Sequence, residues 1–260
     1  MTTNWIRRFH PAPDAPRRLV CFPHAGGSAK YFLPVSRSLS PATEVLALQY
    51  PGRHDRHGEP GIDDLVELAG LIVDVLRPWA DRPLTFFGHS MGATLAFEVA
   101  RRLASQHTEL TGLFVSARCA PSRHRDERSH QLDDEGLLAA VRQLTGASAE
   151  LPGFERFARR ALPVIRSDYT AAETYRYTPG PDVTCPIFAL LGDRDPMVTV
   201  AEAQWWRVHT SGAFELRLFP GGHFYLDGQW AAVLDLLERH LMTCSTRSWG
   251  DRSPTPRRPR

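Results

Sequence analysis

The sequence predicts an α/β fold: a mostly parallel central sheet with helices on both faces and a helical insertion. Three observations carry this. Short apolar runs alternate with longer amphipathic ones along most of the chain, and the short runs close in loops rich in Gly and Pro. The third observation marks the insertion, because between about Pro121 and Pro181 the alternation stops and only helical patterns remain.

The elements follow in order. "RRLVCF" and "TEVLALQY" read as strands, ended by "PHAGGS" and "PGRHDRHGEP". Between them "AKYFLPVSRSL" is a candidate helix in which Pro34 belongs to the first turn or to a kink. Ile62, Leu65, Val66, Leu68, Ala69, Ile72, Val73 and Leu76 recur at steps of three and four, which predicts a helix with one apolar face and with Asp63 and Asp64 at its positive end. "PLTFFG", "SMGATLAFEVARRLASQ" and "LTGLFVSA" continue as strand, helix and strand. The interruption holds charged "SRHRDERSHQLDDE" and then the helical spacings of "GLLAAVRQL" and "FERFARRALPVIRSDYTAAETY". Alternation resumes with "CPIFALLG", "TVAEAQWWRVH", "AFELRLFPGG" and "LDGQWAAVLDLLERHL". The chain therefore divides into an N-terminal extension (1–16), a core in two parts (17–120 and 182–243), the insertion (121–181) and a C-terminal tail (244–260).

With 260 residues, 42% hydrophobic and 23% charged, the composition is that of a soluble globular protein. The net charge of +2 is unevenly placed: "TRSWGDRSPTPRRPR" holds five Arg against one Asp, so the tail is basic and the body slightly acidic. Its Pro, Ser and Arg content reads as a solvated, unfolded end rather than a nucleic-acid arm. Cys21, Cys119, Cys185 and Cys244 are scattered without metal-ligand spacing, so reduced thiols and no metal are expected. The N-terminus lacks the apolar core of a signal peptide, and "LVELAGLIVDVL" is interrupted by Glu67 and Asp74, so a cytoplasmic protein without membrane attachment is expected.

Chemistry enters with "GHSMG". A G-x-S-x-G match alone is weak, with about 0.1 chance occurrences expected in a chain of this size. Here it follows a strand and opens a helix, the context of a nucleophile elbow, in which Ser90 projects from a sharp bend that Gly88 and Gly92 permit. A serine hydroxyl needs a base, and the base needs an orienting acid. Asp193 and Asp195 in "LLGDRDPMVTV" compete for the acid, and their spacing does not decide between them. His223 in "LFPGGHFYL" is the candidate base, whereas His89 inside the elbow is assigned to packing. The remaining histidines, including those of "RHDRHGE" and "SRHRDERSH", read as solvated loop residues. The order Ser, Asp, His is that of the α/β-hydrolase fold. Oxyanion donors are expected at the Met91 N–H and at the Ala25 N–H in "FPHAGGS".

The motifs "CFPHAGGSAKYF", "LQYPGRHDRHGEP", "FFGHSMGATLAFEVARRL", "LFVSARCAP", "LPVIRSDYTAAETYRYTPG", "LGDRDPMV" and "GGHFYL", taken in this order, resemble the discrete type II thioesterases of polyketide and nonribosomal peptide synthesis. The resemblance implies Ser90 as nucleophile, Asp195 in preference to Asp193 as acid, His223 as base, and Ala25 and Met91 as oxyanion donors. It implies a flexible helical lid at about Pro121 to Pro181 and no cofactor of the enzyme's own. Its partners would be acyl or peptidyl carrier proteins whose phosphopantetheine arm presents the thioester. A monomer is expected. Cys119 in "SARCAP" and a short "TGASAELPGF" depart from the family pattern and leave the acyl preference open. Arg123, Arg125, Arg128, Arg156, Arg159 and Arg160 are candidates for steering an acidic carrier, against the alternative of a solvated helix face for most of them. A carboxylesterase, or a thioesterase for medium-chain fatty acyl groups, is the alternative reading of the same fold.

Overall fold

The structure, a computed structural model, describes residues 4–123, 125–145 and 153–244. The basic tail beyond Cys244 and most of "TGASAELPGF" lie outside the described residues. Seven strands, β1 (Ile6–Arg7), β2 (Arg18–Phe22), β3 (Glu44–Leu48), β4 (Leu84–His89), β5 (Gly112–Ser116), β6 (Ile187–Gly192) and β7 (Phe214–Phe219), form one sheet in the order β1-β3-β2-β4-β5-β6-β7. All neighbours pair in parallel except β1, which runs antiparallel to β3.

β1 belongs to the stretch that the sequence reading leaves as an extension. Two residues carry no periodicity of their own; tertiary pairing of Ile6 with Leu48 recruits them to the sheet. The same stretch is tied down further on, where buried Glu44 accepts the Ala12 N–H at 2.7 Å and pairs with Arg8 at 2.6 Å.

Period-two alternation within fully buried strands feeds both faces of the sheet. Val20, Phe22 and Phe86 pack on the side of α2 (Leu65–Leu76) and α3 (Met91–Ser105). Leu19, Cys21 and Phe87 pack on the side of α1 (Leu33–Leu39) and the C-terminal helix Leu226–Cys244. Pro34 sits in the first turn of α1, where no backbone donor is lost. α2 begins at Leu65 rather than Ile62 because the Asp64 carboxylate caps it, accepting the N–H groups of Val66 and Glu67 at 2.7 and 2.9 Å.

The interrupted stretch supplies α4 (Asp134–Thr145) and α5 (Phe154–Thr174), which meet over a small cluster of Leu137, Leu138, Ala158, Leu162 and Ile165. Short α6 (Val200–Gln204) follows β6 behind a capping box of Thr199 and Glu202, and the C-terminal helix is α7. Cys21, Cys119 and Cys185 are free and buried, and burial pushes the Cys185 thiol up to about 12. No helix among the described residues is long and apolar enough to cross a membrane.

Candidate active site

β4 ends at His89 and α3 begins at Met91, so Ser90 alone makes the bend, at φ 53° and ψ −122°. This is a sparsely populated conformation for a residue with a side chain, held here by its surroundings. A Cβ on Gly88 would stand 2.2 Å from the Gly92 carbonyl oxygen, and one on Gly92 would stand 2.1 Å from that of Phe22. Both positions exclude any side chain. The Ser90 N–H donates to the Ser116 carbonyl at 2.8 Å, so β5 fixes the bend from the side.

The structure brings Ser90, His223 and Asp195 into one chain of contacts. His223 Nε2 lies 3.0 Å from Ser90 Oγ, and its Nδ1 lies 3.0 and 3.1 Å from the two oxygens of Asp195. An ionised carboxylate only accepts, so Nδ1 carries the proton and Nε2 is left to accept from the Ser90 hydroxyl. The Asp195 side chain has no exposed surface, and its Oδ1 also accepts the Met197 N–H at 2.8 Å. Asp193 is 48% exposed, accepts the Gly221 N–H at 2.9 Å and pairs with Arg194. It shapes the loop leading to His223, while Asp195 meets the imidazole.

His89 has no exposed surface; its Nδ1 bonds Ser116 Oγ at 2.9 Å, and that hydroxyl meets the Tyr225 hydroxyl at 2.8 Å. Burial, then the charges of His223 and His24, holds the His89 imidazole well below the usual histidine range. His24 was not singled out from sequence, yet it lines the cavity at Ser90, with its ring 5.7 Å from that of His89. Burial lowers it to about 3, with His223 and Arg53 adding to the shift. Its place in the glycine-rich "PHAGGS" loop is the signal for it in the sequence.

Ala25 and Met91, with Ser90 and His223, line a cavity of about 50 Å³ whose further walls combine Leu144, Tyr169, Ala172, Met197, Val198 and Phe224 with the charged Arg118, Glu127 and Glu173. The Met91 N–H belongs to the first turn of α3, where backbone donors have no partner within the helix and the dipole favours negative charge. A hydroxyl, a base and a donor-rich helix start around one recess are the parts needed for acyl transfer. Among the described residues no group of three His, Cys, Asp or Glu side chains is placed to hold a metal ion.

A second, open groove of about 1060 Å³ adjoins this cavity across His24, between the "PGRHDRHGEP" loop and α5. That loop is not the solvated segment its charges suggest, because Arg53 and Arg56 are 6% and 5% exposed. Each spends its guanidinium on neighbouring carbonyls and a carboxylate, which sequence spacing does not reveal. Of the six arginines near the insertion, Arg125 binds Glu202, Arg128 binds Asp126, Arg159 binds Glu135 and Glu155, and Arg123 stacks on Trp205. Arg156 and Arg160 line the groove with Lys30 and have no ion-pair partner among the described residues.

Comparison with known proteins agrees with this geometry. Residues 17–241 match the thioesterase domain family. Thioesterase PikA5 of Streptomyces venezuelae is 50% identical over 240 residues, covering 92% of this chain and 85% of that protein. The structure of the type II thioesterase BorB from the borrelidin biosynthetic cluster superposes with a TM-score of 0.88 at 51% identity, covering 93% of this chain and 99% of that one. The RedJ thioesterase of the prodiginine pathway in Streptomyces coelicolor superposes with a TM-score of 0.83 at 37% identity, covering 89% of this chain and 88% of that one. The chain belongs to the thioesterase family, has the α/β-hydrolase fold, and is a thioester hydrolase of the type II group.

Proposed function

We propose that the protein clears short, aberrant or stalled acyl groups from the phosphopantetheine arm of acyl or peptidyl carrier proteins in polyketide or nonribosomal peptide synthesis. Ser90 attacks the thioester carbonyl, His223 takes its proton and passes it to the departing sulfur, and Asp195 orients and stabilises the imidazolium. Water then releases the acid by the same route in reverse. The Ala25 and Met91 N–H groups take the oxyanion, and losing either raises the barrier by roughly 3 to 4 kcal/mol. A thiol of pKa about 8.5 leaves readily, so the oxyanion rather than the leaving group dominates the barrier. No cofactor is required for these steps. The observation that carries the reading is the Ser90–His223–Asp195 chain, with Ser90 opening onto the small recess.

The size of that recess supports a short acyl group, since about 50 Å³ admits only a few water-sized groups. The groove beside Lys30, Arg156 and Arg160 supports approach of an acidic, phosphate-bearing partner. The enzyme acts as a cytoplasmic monomer in this reading. The test is a panel of acyl groups carried either on a carrier protein or on pantetheine. Turnover is expected to be fastest for short chains on the carrier and to fall by about 10⁴-fold or more in Ser90→Ala. Undiminished turnover in Ser90→Ala refutes the mechanism; strong preference for a matched oxygen ester refutes the substrate class.

A further inference from the structure

A buried ion pair joins the insertion to the loop that carries Ala25. Asp168 lies on α5 and is 1% exposed, and its Oδ2 accepts the Gly26 N–H at 2.7 Å. The same oxygen pairs with Arg53 Nη2. Arg53 in turn donates through Nε to the Gly27 carbonyl at 2.8 Å and through Nη1 to the Pro51 carbonyl at 2.6 Å. One carboxylate and one guanidinium therefore hold the Gly26–Gly27 segment by its N–H and by its C=O.

The turn itself closes without them. The Gly27 N–H reaches the His24 carbonyl at 2.9 Å, and Gly26, at φ 72°, occupies the position of a type II turn that favours glycine. What closure does not set is the orientation of the central Ala25–Gly26 peptide, which distinguishes a type II turn from type I. Asp168 accepts from the N–H of that peptide. The turn is also pressed from α5, because a Cβ on Gly26 would stand 2.8 Å from Ile165 Cγ1. A buried ion pair is a weak source of stability, since desolvating both charges offsets most of their attraction. Its contribution here is the placement of backbone.

We infer that Asp168, backed by Arg53, is a positioning residue for the oxyanion-binding loop, so that α5 completes the active site as well as covering it. The inference rests on the acyl-transfer role proposed for Ser90. Oxyanion donors act only within a narrow distance range, and a misplacement of about 1 Å costs up to 100-fold in rate. Asp168 touches no reacting atom, and its effect passes through Gly26 to Ala25.

The experiment uses the full chain with Asp168→Ala and Asp168→Asn; the second keeps an acceptor for Gly26 while removing the charge facing Arg53. Steady-state kinetics on acyl-pantetheine and on a p-nitrophenyl acyl ester are combined with the rate of Ser90 labelling by a fluorophosphonate, whose phosphoryl oxygen seeks the oxyanion site. Expected is a fall in kcat of about 10-fold or more in Asp168→Ala, with a smaller fall in Asp168→Asn. KM should move by less than about 3-fold, and labelling should slow in parallel with kcat on both substrates. Folded variants whose kcat and labelling rate stay within about 3-fold of the parent overturn the inference, as does a rise in KM alone. Should Asp168→Ala fail to fold, Asp168→Asn decides by the same readings. Loss of the thioester reading would show as an inert acyl-pantetheine in the parent, and the ester and labelling rates would still report on Asp168.

Discussion

The core strands around Ser90 differ in construction from the α4–α5 insertion beside them. β2, β4 and β5 are buried along their whole length, and Phe22, Phe86, Phe87 and Phe114 fill the space against helices on both faces. The insertion has its own small apolar cluster and much exposed charge: Arg159 with Glu135 at 2.6 Å and Glu155 at 3.0 Å, Arg142 with Glu155 at 3.1 Å, Arg166 with Asp134 at 2.8 Å. Such exposed pairs contribute about 0 to 1 kcal/mol each. The insertion meets the core through the C-terminal half of α5, where Ala171 and Tyr175 join the main core, and through polar contacts, among them Asp168 to Gly26 and the Tyr175 hydroxyl to Glu98 at 2.5 Å. The elbow is thus held by continuous apolar packing, and the outer part of the insertion by a small apolar cluster and exposed ion pairs.

The sharpest test of the core side lies within one loop. Asp195→Asn is expected to lower kcat by about 10⁴-fold, because the amide no longer holds the required imidazole tautomer. Asp193→Asn, which alters only the turn beside it, should stay within about 10-fold of the parent in the same assay. Comparable losses in both would remove the distinction drawn between the two aspartates.

Stability separates the two regions next. Phe86→Ala should lower the free energy of unfolding by about 3 to 5 kcal/mol in denaturant titration, since the surrounding sheet and helices cannot close the space. Leu138→Ala should leave the main unfolding transition nearly in place while speeding proteolysis within α4 and α5, as expected of a unit that opens locally. A Leu138→Ala loss as large as that of Phe86→Ala, in the main transition, would show the insertion and core to unfold as one.

A smaller effect is expected from pH. His89 stays neutral in the fold, while the unfolded chain takes up its proton below about pH 6.5. The unfolded state then binds more protons, so stability falls as pH drops below that value, by up to about 1.4 kcal/mol per pH unit. His89→Asn keeps a polar group for Ser116, and its stability should decline less steeply below pH 6.5 than the parent's. Parallel pH profiles would show that His89 is protonated in the fold.

The chain's local pattern was enough for the parallel sheet, the elbow at Ser90 and the candidate base His223, because strand periodicity, glycine sterics and motif order are short-range properties. Spacing left Asp193 and Asp195 equal; resemblance favoured Asp195, and the folded loop showed it facing the imidazole. β1, with two residues, became a strand only when β3 offered an edge, and Arg53 and Arg56 looked like solvated charge until α5 and the neighbouring carbonyls enclosed them. Asp168 stands 142 residues from Gly26 along the chain, so no local pattern relates them. Tertiary structure decided these points because burial and hydrogen-bond partnership depend on what long-range packing brings to a residue, and the same side chain is solvated or enclosed accordingly.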